Sequence, residues 1–150
     1  MQQSKRKLIL MAEDDDDFHH ITDFMVKSYE DLELRRVEDG EQLMNYLLRR
    51  EKYQNPQDSP VPDLILLDLN MPRKNGYEAL KEIRSNPQLP FIPILILTVS
   101  TNPQDIQRAY ASGANSFITK PLELEEWKNC LKGVKRYWFE IVRLPALNKS

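Results

Sequence analysis

The stretch "DLILLDLNMP", from Asp63 to Pro72, decides how the rest of the chain is read. Four apolar residues, Leu64 to Leu67, run without a break into the carboxylate of Asp68. A strand with one wet face alternates polar and apolar residues, whereas a strand apolar at every position is buried on both faces, as in a parallel sheet covered by helices. "KLILMA" (Lys7 to Ala12) and "PILILT" (Pro93 to Thr98) are of the same type. Each ends where polar residues begin, and the reason for an acid at such an end has to be sought in what lies beyond it.

Working outward, the periodicity alternates between strand and helix. "FHHITDFMVKSY" brings Phe18, Ile21, Met25 and Val26 to near-helical spacing. "LELRRV" is a weaker strand with charges between its apolar residues, as an edge requires. Asp39-Gly40 opens a helical pattern of Leu43, Met44, Leu47 and Leu48, and "KYQNPQDSPVP" is a loop, long for a helix-to-strand connection. Residues from about Asn75 to Ser85 carry Tyr77, Leu80 and Ile83 on one helical face. A further helix begins with Asn102 as cap, Pro103 at the first position and Asp105 in the first turn, and ends at Gly113. "NSFIT" is the fifth strand, and the last helix is expected from Leu124 to about Val142. Strict strand–helix alternation with right-handed crossovers predicts an α/β, doubly wound, five-stranded parallel sheet of order 2-1-3-4-5, which is flavodoxin-like. One domain is expected over residues 1–150, with a core of about 5–135 and a helical extension over about 136–150.

Of the 150 residues, 41% are hydrophobic and 29% charged, enough apolar content for a core and too much for a disordered chain. A net charge of −2 gives no support to nucleic-acid binding. The apolar runs fall far short of the roughly 20 residues that span a bilayer. The basic start "MQQSKRK" leads into an apolar run that gives way to acids, which reads as a strand and not a signal peptide. Cys130 stands alone, which suits a reducing cytosol, so a cytoplasmic location is expected and the thiol reads as a small helix filler.

In a doubly wound sheet, ligands sit outside the carboxyl ends of the central strands. Those ends carry Glu13, Asp14 and Asp15; Asp68, Leu69 and Asn70; Thr98, Val99 and Ser100; and Lys120 with Pro121. The first and third strands are neighbours in the expected order, so Glu13, Asp14 and Asp68 converge. Three crowded carboxylates repel one another, and a hard divalent cation with oxygen ligands, Mg²⁺ above all, removes that repulsion. The same cleft holds a hydroxyl (Thr98) and an ammonium (Lys120), and these parts together neutralise a phosphoryl group. Asp68 is then the nucleophile, forming an acyl phosphate.

With "LILMAEDD", "DLILLDLNMPRKNG", "PILILTVS" and "SFITKP" in this order and at these intervals, the chain resembles the response-regulator receiver domains of two-component signalling, over about residues 5 to 135. The long second helix-to-strand loop and extended last helix resemble the stand-alone cyanobacterial phytochrome response regulators. The resemblance implies that Asp68 is the phosphoacceptor. It implies that Asp14 and Asp68 bind Mg²⁺ directly, Glu13 mainly through water and Asn70 through its backbone carbonyl. Thr98 and Lys120 then contact the phosphoryl oxygens, and Phe117 is the aromatic switch that follows Thr98. A sensor histidine kinase or phosphotransfer protein supplies the phosphate and a further protein receives the signal, with no nucleic acid or membrane as partner. The protein would be no enzyme beyond its own phosphorylation and dephosphorylation. Val99 departs from the small residue common at its position and narrows access to the phosphate.

Two rivals remain open on the sequence: an unphosphorylated pseudo-receiver acting as a binding module, and a phosphatase with an aspartyl nucleophile. The phosphatase needs a second acid two positions after the first, where this chain has Asn70. Asp15 to Asp17 read as a capped, solvated helix start, and His19 and His20 as an exposed helix face. In the last helix Leu124, Trp127, Leu131, Val134, Trp138 and Ile141 form a heptad-like seam roughly 28 Å long at about 1.5 Å per residue, more than the sheet needs. Its end either folds back or forms a homodimer or partner surface.

Overall fold

The computed structural model describes residues 6–145. Five strands, β1 (Lys7–Ala12), β2 (Leu32–Val37), β3 (Leu64–Leu67), β4 (Ile94–Thr98) and β5 (Ser116–Thr119), form one parallel sheet in the order β2-β1-β3-β4-β5. The helices are α1 (Asp16–Val26), α2 (Gly40–Leu47), α3 (Gly76–Ser85), α4 (Pro103–Ala111) and α5 (Leu124–Arg136). The doubly wound fold expected from the alternation is the fold observed. Among the described residues no helix is long and apolar enough to cross a membrane.

The uninterrupted apolar strands divide their side chains between two cores. Leu10, Ala12, Ile65, Leu67, Ile94 and Ile96 face α2 and α3, where Leu43, Met44, Leu80 and Ile83 complete the layer. Ile9, Met11, Leu64, Leu66, Leu95 and Leu97 face the other way, against Val26 of α1 and Trp127, Leu131 and Val134 of α5. Period-two alternation with both faces covered is why these strands read as continuous hydrophobic runs. Both edges, β2 and β5, are only partly buried at most positions.

Local caps set where each helix starts. Asp15 accepts from the N–H groups of Asp17 and Phe18, Asp39 from that of Gln42, and Asn102 from that of Gln104, with Pro103 in the first turn. Asn75 and Glu78 form a reciprocal capping box. Gly113 follows α4 at φ +109°, as its place after the last helical residue predicts. The long loop before β3 is not featureless: two single 3₁₀ turns, Glu51–Tyr53 and Pro56–Asp58, fold it.

The last helix runs as far as expected, to Ile141, but changes pitch on the way. Its α-helical part stops at Arg136 and the chain continues as one wide π turn, Tyr137–Ile141, before Val142 becomes extended. The change of pitch rotates the heptad seam, so Trp138 and Phe139 pack partly onto the α1/α5 core while Tyr137 and Ile141 stay about half exposed, at 49% and 56%. Leu124, the first residue of the seam, is 61% exposed, so only Trp127, Leu131 and Val134 are fully buried seam positions. Residues 146–150, part of the expected extension, lie outside the described residues.

Trp127 ties α5 to α1. Its indole Nε1–H donates to Thr22 Oγ1 at 2.9 Å, and Thr22 in turn donates to the Phe18 carbonyl at 2.8 Å. Trp127→Phe keeps most of the ring and is expected to cost about 1 kcal/mol for the lost hydrogen bond. Trp127→Ala opens a cavity and is expected to cost about 3–5 kcal/mol. Urea unfolding midpoints at unchanged slope separate the two.

Candidate functional site

The parallel register places the ends of the inner strands side by side. Ala12 lies opposite Leu67, and the Asp68 N–H donates to the Ala12 carbonyl at 3.1 Å. The next residues of the two chains, Glu13 and Asp68, are therefore neighbours, at 1% and 6% exposure. Asp14 is exposed beside them, and one carboxylate oxygen from each of Glu13, Asp14 and Asp68 lies within 4.8 Å of the others. The three acids singled out by the strand-end argument are brought together.

Lys120 reaches in from the end of β5, whose last pair is Thr98 with Thr119. Its Nζ lies 2.7 Å from Glu13 Oε1 and 3.3 Å from Asp68 Oδ2. The ammonium also sits 4.7 Å from the ring centroid of Phe18. Burial, and then the nearby Asp68, push the Glu13 carboxyl up from 4.5 to about 7, although Lys120 pulls the other way. Burial works against the Lys120 ammonium too, but its bond to Glu13 and the charge of Asp68 outweigh it and its pKa lies above the ordinary value. One ammonium between two buried acids, with a third acid beside them, leaves negative charge in excess. An all-oxygen donor set of this kind fits a hard divalent cation.

The other oxygen of Asp68, Oδ1, accepts the N–H of Asn70 at 3.1 Å. Asn70 itself is exposed at the rim. Thr98 is fully buried, and its Oγ1 has no hydrogen-bond partner among the described residues. A buried hydroxyl left unpaired is unusual enough to ask for a partner that arrives later. Val99 is 70% exposed beside it. Phe117 is half-buried against the core under α3 and α4, and its backbone N–H donates to Tyr110 Oη at 3.1 Å. The expected site residues other than Phe117 sit at the strand ends around this cleft, and Phe117 lies two residue pairs below the Thr98–Thr119 pair, opposite Ile96.

Two contributors were not visible in the sequence. Arg36 donates through Nε to the Glu13 carbonyl at 2.9 Å and pairs with Asp16 at 2.8 Å, lowering the Asp16 carboxyl through that bond and its charge. In the sequence its charge marks only an edge strand. Phe18, one of the helically spaced apolar residues, also serves as the floor under Lys120. Asp15 has the capping role expected of it, while His20 is exposed and His19 half-buried. The Cys130 thiol is half-buried and burial pushes its pKa up, in keeping with a filler.

Comparison with known proteins agrees with this geometry. The family described as the response regulator receiver domain matches residues 9–132. The response regulator Rcp1 of Synechocystis sp. is 39% identical over 141 residues, covering 93% of this chain and 94% of that protein. The crystal structure of the phosphorylated cyanobacterial phytochrome response regulator RcpA superposes with a TM-score of 0.87 at 35% identity, over 94% of this chain and 99% of that one. The Mn²⁺-bound form of Rcp1 superposes with a TM-score of 0.83 at 38% identity, over 93% and 99% of the two chains.

Because Thr98 Oγ1 is buried without a partner, Thr98→Val is expected to raise stability by about 1 kcal/mol, the hydroxyl's desolvation being removed at nearly constant shape. Denaturant titration of the two proteins tests this, and a loss of stability would show that the hydroxyl is already satisfied.

Proposed function

The chain belongs to the response regulator receiver family, and we propose that within it Asp68 accepts a phosphoryl group from the phosphohistidine of a sensor kinase or phosphotransfer protein. The observation that carries this reading is the convergence of Glu13, Asp14 and Asp68, with the Lys120 ammonium between Glu13 and Asp68 and the buried, unpaired hydroxyl of Thr98 at the end of the neighbouring strand β4. A carboxylate oxygen of Asp68 attacks phosphorus. A P–O bond forms as the N–P bond of the donor breaks, and the electron pair leaves with the imidazole. Lys120 then neutralises one phosphoryl oxygen and Thr98 donates its hydroxyl to another. Glu13, Asp14, Asp68 and the carbonyl of Asn70 would hold Mg²⁺, which supplies charge neutralisation for the transferring group.

Drawing Thr98 toward the phosphate moves the end of β4, and Phe117 on the neighbouring strand follows into the space left behind. The output passes to another protein and not to nucleic acid or membrane, in the cytoplasm. The chain turns over no external substrate; it catalyses only the arrival and loss of its own phosphoryl group. The half-exposed Tyr137 and Ile141 of the last turn are the surface by which two copies associate.

Incubation with acetyl phosphate and Mg²⁺, followed by intact-mass measurement, is expected to show a single phosphate adduct in the wild type and none in Asp68→Ala. No adduct in either protein would favour the pseudo-receiver, and steady turnover of phosphoesters the phosphatase. Sedimentation is expected to show a concentration-dependent dimer that Ile141→Asp abolishes; a monomer in both proteins would remove the dimer from the reading.

A further inference from the structure

The loop that leaves Asp68 turns back toward α3 through Arg73, which holds a left-handed φ of +62°. That conformation is costly for any residue with a Cβ, and such strain persists only where surrounding contacts over-determine it. The contact here is a buried acid. Asp39 has no exposed surface, and its Oδ1 is committed to the Gln42 N–H at 2.8 Å as the cap of α2. Its Oδ2 accepts from Arg73 Nε at 2.8 Å and from Nη2 of the same guanidinium. Among the described residues, Arg73 is the one cation paired with Asp39. The pairing carries the Arg73 pKa above its ordinary value through that bond.

The neighbouring residue is stitched to the same place. The Gly40 N–H donates to the Lys74 carbonyl at 2.9 Å, and a Cβ at Gly40 would overlap that carbonyl, so the two backbones approach closely because residue 40 is glycine. Lys74 Nζ pairs with Glu82 of α3 on the far side. Leu69 and Met71 anchor the start of the loop in the core. Between them lies Asn70, whose N–H orients Asp68 Oδ1 and whose carbonyl faces the acids in the reading above.

We propose that Arg73 is a positioning residue: by clamping the Asp68–Asn75 loop to the buried Asp39, it sets the affinity of the acid cleft for a divalent cation without touching the cation. It acts through the carbonyl of Asn70 and the orientation of Asp68. The inference rests on the receiver reading. The side chain of Arg73 is 61% exposed, so replacing it leaves the core intact. Glycine suits the left-handed turn, so Arg73→Gly removes the guanidinium and relieves the backbone at once.

Calorimetric titration of the full chain with Mg²⁺ is expected to show a dissociation constant about ten-fold higher in Arg73→Gly, the usual scale for losing a group that orients metal ligands. The Mg²⁺ concentration for half-maximal phosphorylation by acetyl phosphate rises by the same factor, while the rate at saturating Mg²⁺ is unchanged. Asp39→Asn is expected to weaken Mg²⁺ to a similar extent, and the double variant no further. Wild-type affinity in Arg73→Gly, additive losses in the double variant, or a rate lowered equally at all Mg²⁺ concentrations would each overturn the clamp. Absence of Mg²⁺ binding in the wild type would instead overturn the receiver reading, and the clamp with it.

Discussion

Glu13 and Asp68 are buried side by side, and a single ammonium lies between them. Two desolvated carboxylates at that separation would be driven to take up a proton, and Lys120 offsets this only in part, since the Glu13 carboxyl still sits near 7. The rest of the molecule is arranged around this constraint. The in-register pairing of β1 with β3 forces the two acids together, and the pairing of β5 with β4 delivers the lysine from the far edge. Arg36 holds the backbone of Glu13 from the opposite side, and Phe18 supports the lysine from below. A site with surplus negative charge and one fixed cation has an all-oxygen donor set that suits a divalent cation.

The conformational consequences follow from where slack has been left. Thr98 is buried and its hydroxyl is unpaired among the described residues, so a partner could be gained there without breaking an existing bond. The loop after it is tied outward. Ser100 donates to Asp105 at 2.6 Å, Tyr77 of α3 donates to the same carboxylate at 2.9 Å, and the Arg108 guanidinium lies 3.8 Å from the Tyr77 ring centroid. Thr119 of β5 donates to the Ser100 carbonyl at 3.1 Å. These contacts link the loop after Thr98 to α3, α4 and β5.

Much of this was legible in the sequence because the signals were local. The fully apolar strands announced a doubly covered parallel sheet, and Asp15, Asp39, Asn75 and Asn102 each cap a helix with a side chain a few residues from its own target. Glu13, Asp14, Asp68, Thr98 and Lys120 were placed together because strand ends in such a sheet share one rim. The last helix was read too simply: a heptad seam in sequence does not reveal that the pitch widens at Tyr137, which lets Trp138 and Phe139 fold back on the core.

Arg36, Arg73 and the floor role of Phe18 were not legible, and for one reason. Each depends on a partner brought near only by the folded chain: Glu13 is 23 positions from Arg36, and Asp39 is 34 from Arg73. The sequence by itself determined the order of elements, the acids at the strand ends and the chemistry those acids support, because hydrophobic periodicity and capping act over a few residues. The tertiary structure alone decided which cation faces which acid, which hydroxyl is left unpaired and where the last helix turns, because charge pairing and burial are settled only when distant segments exclude water together.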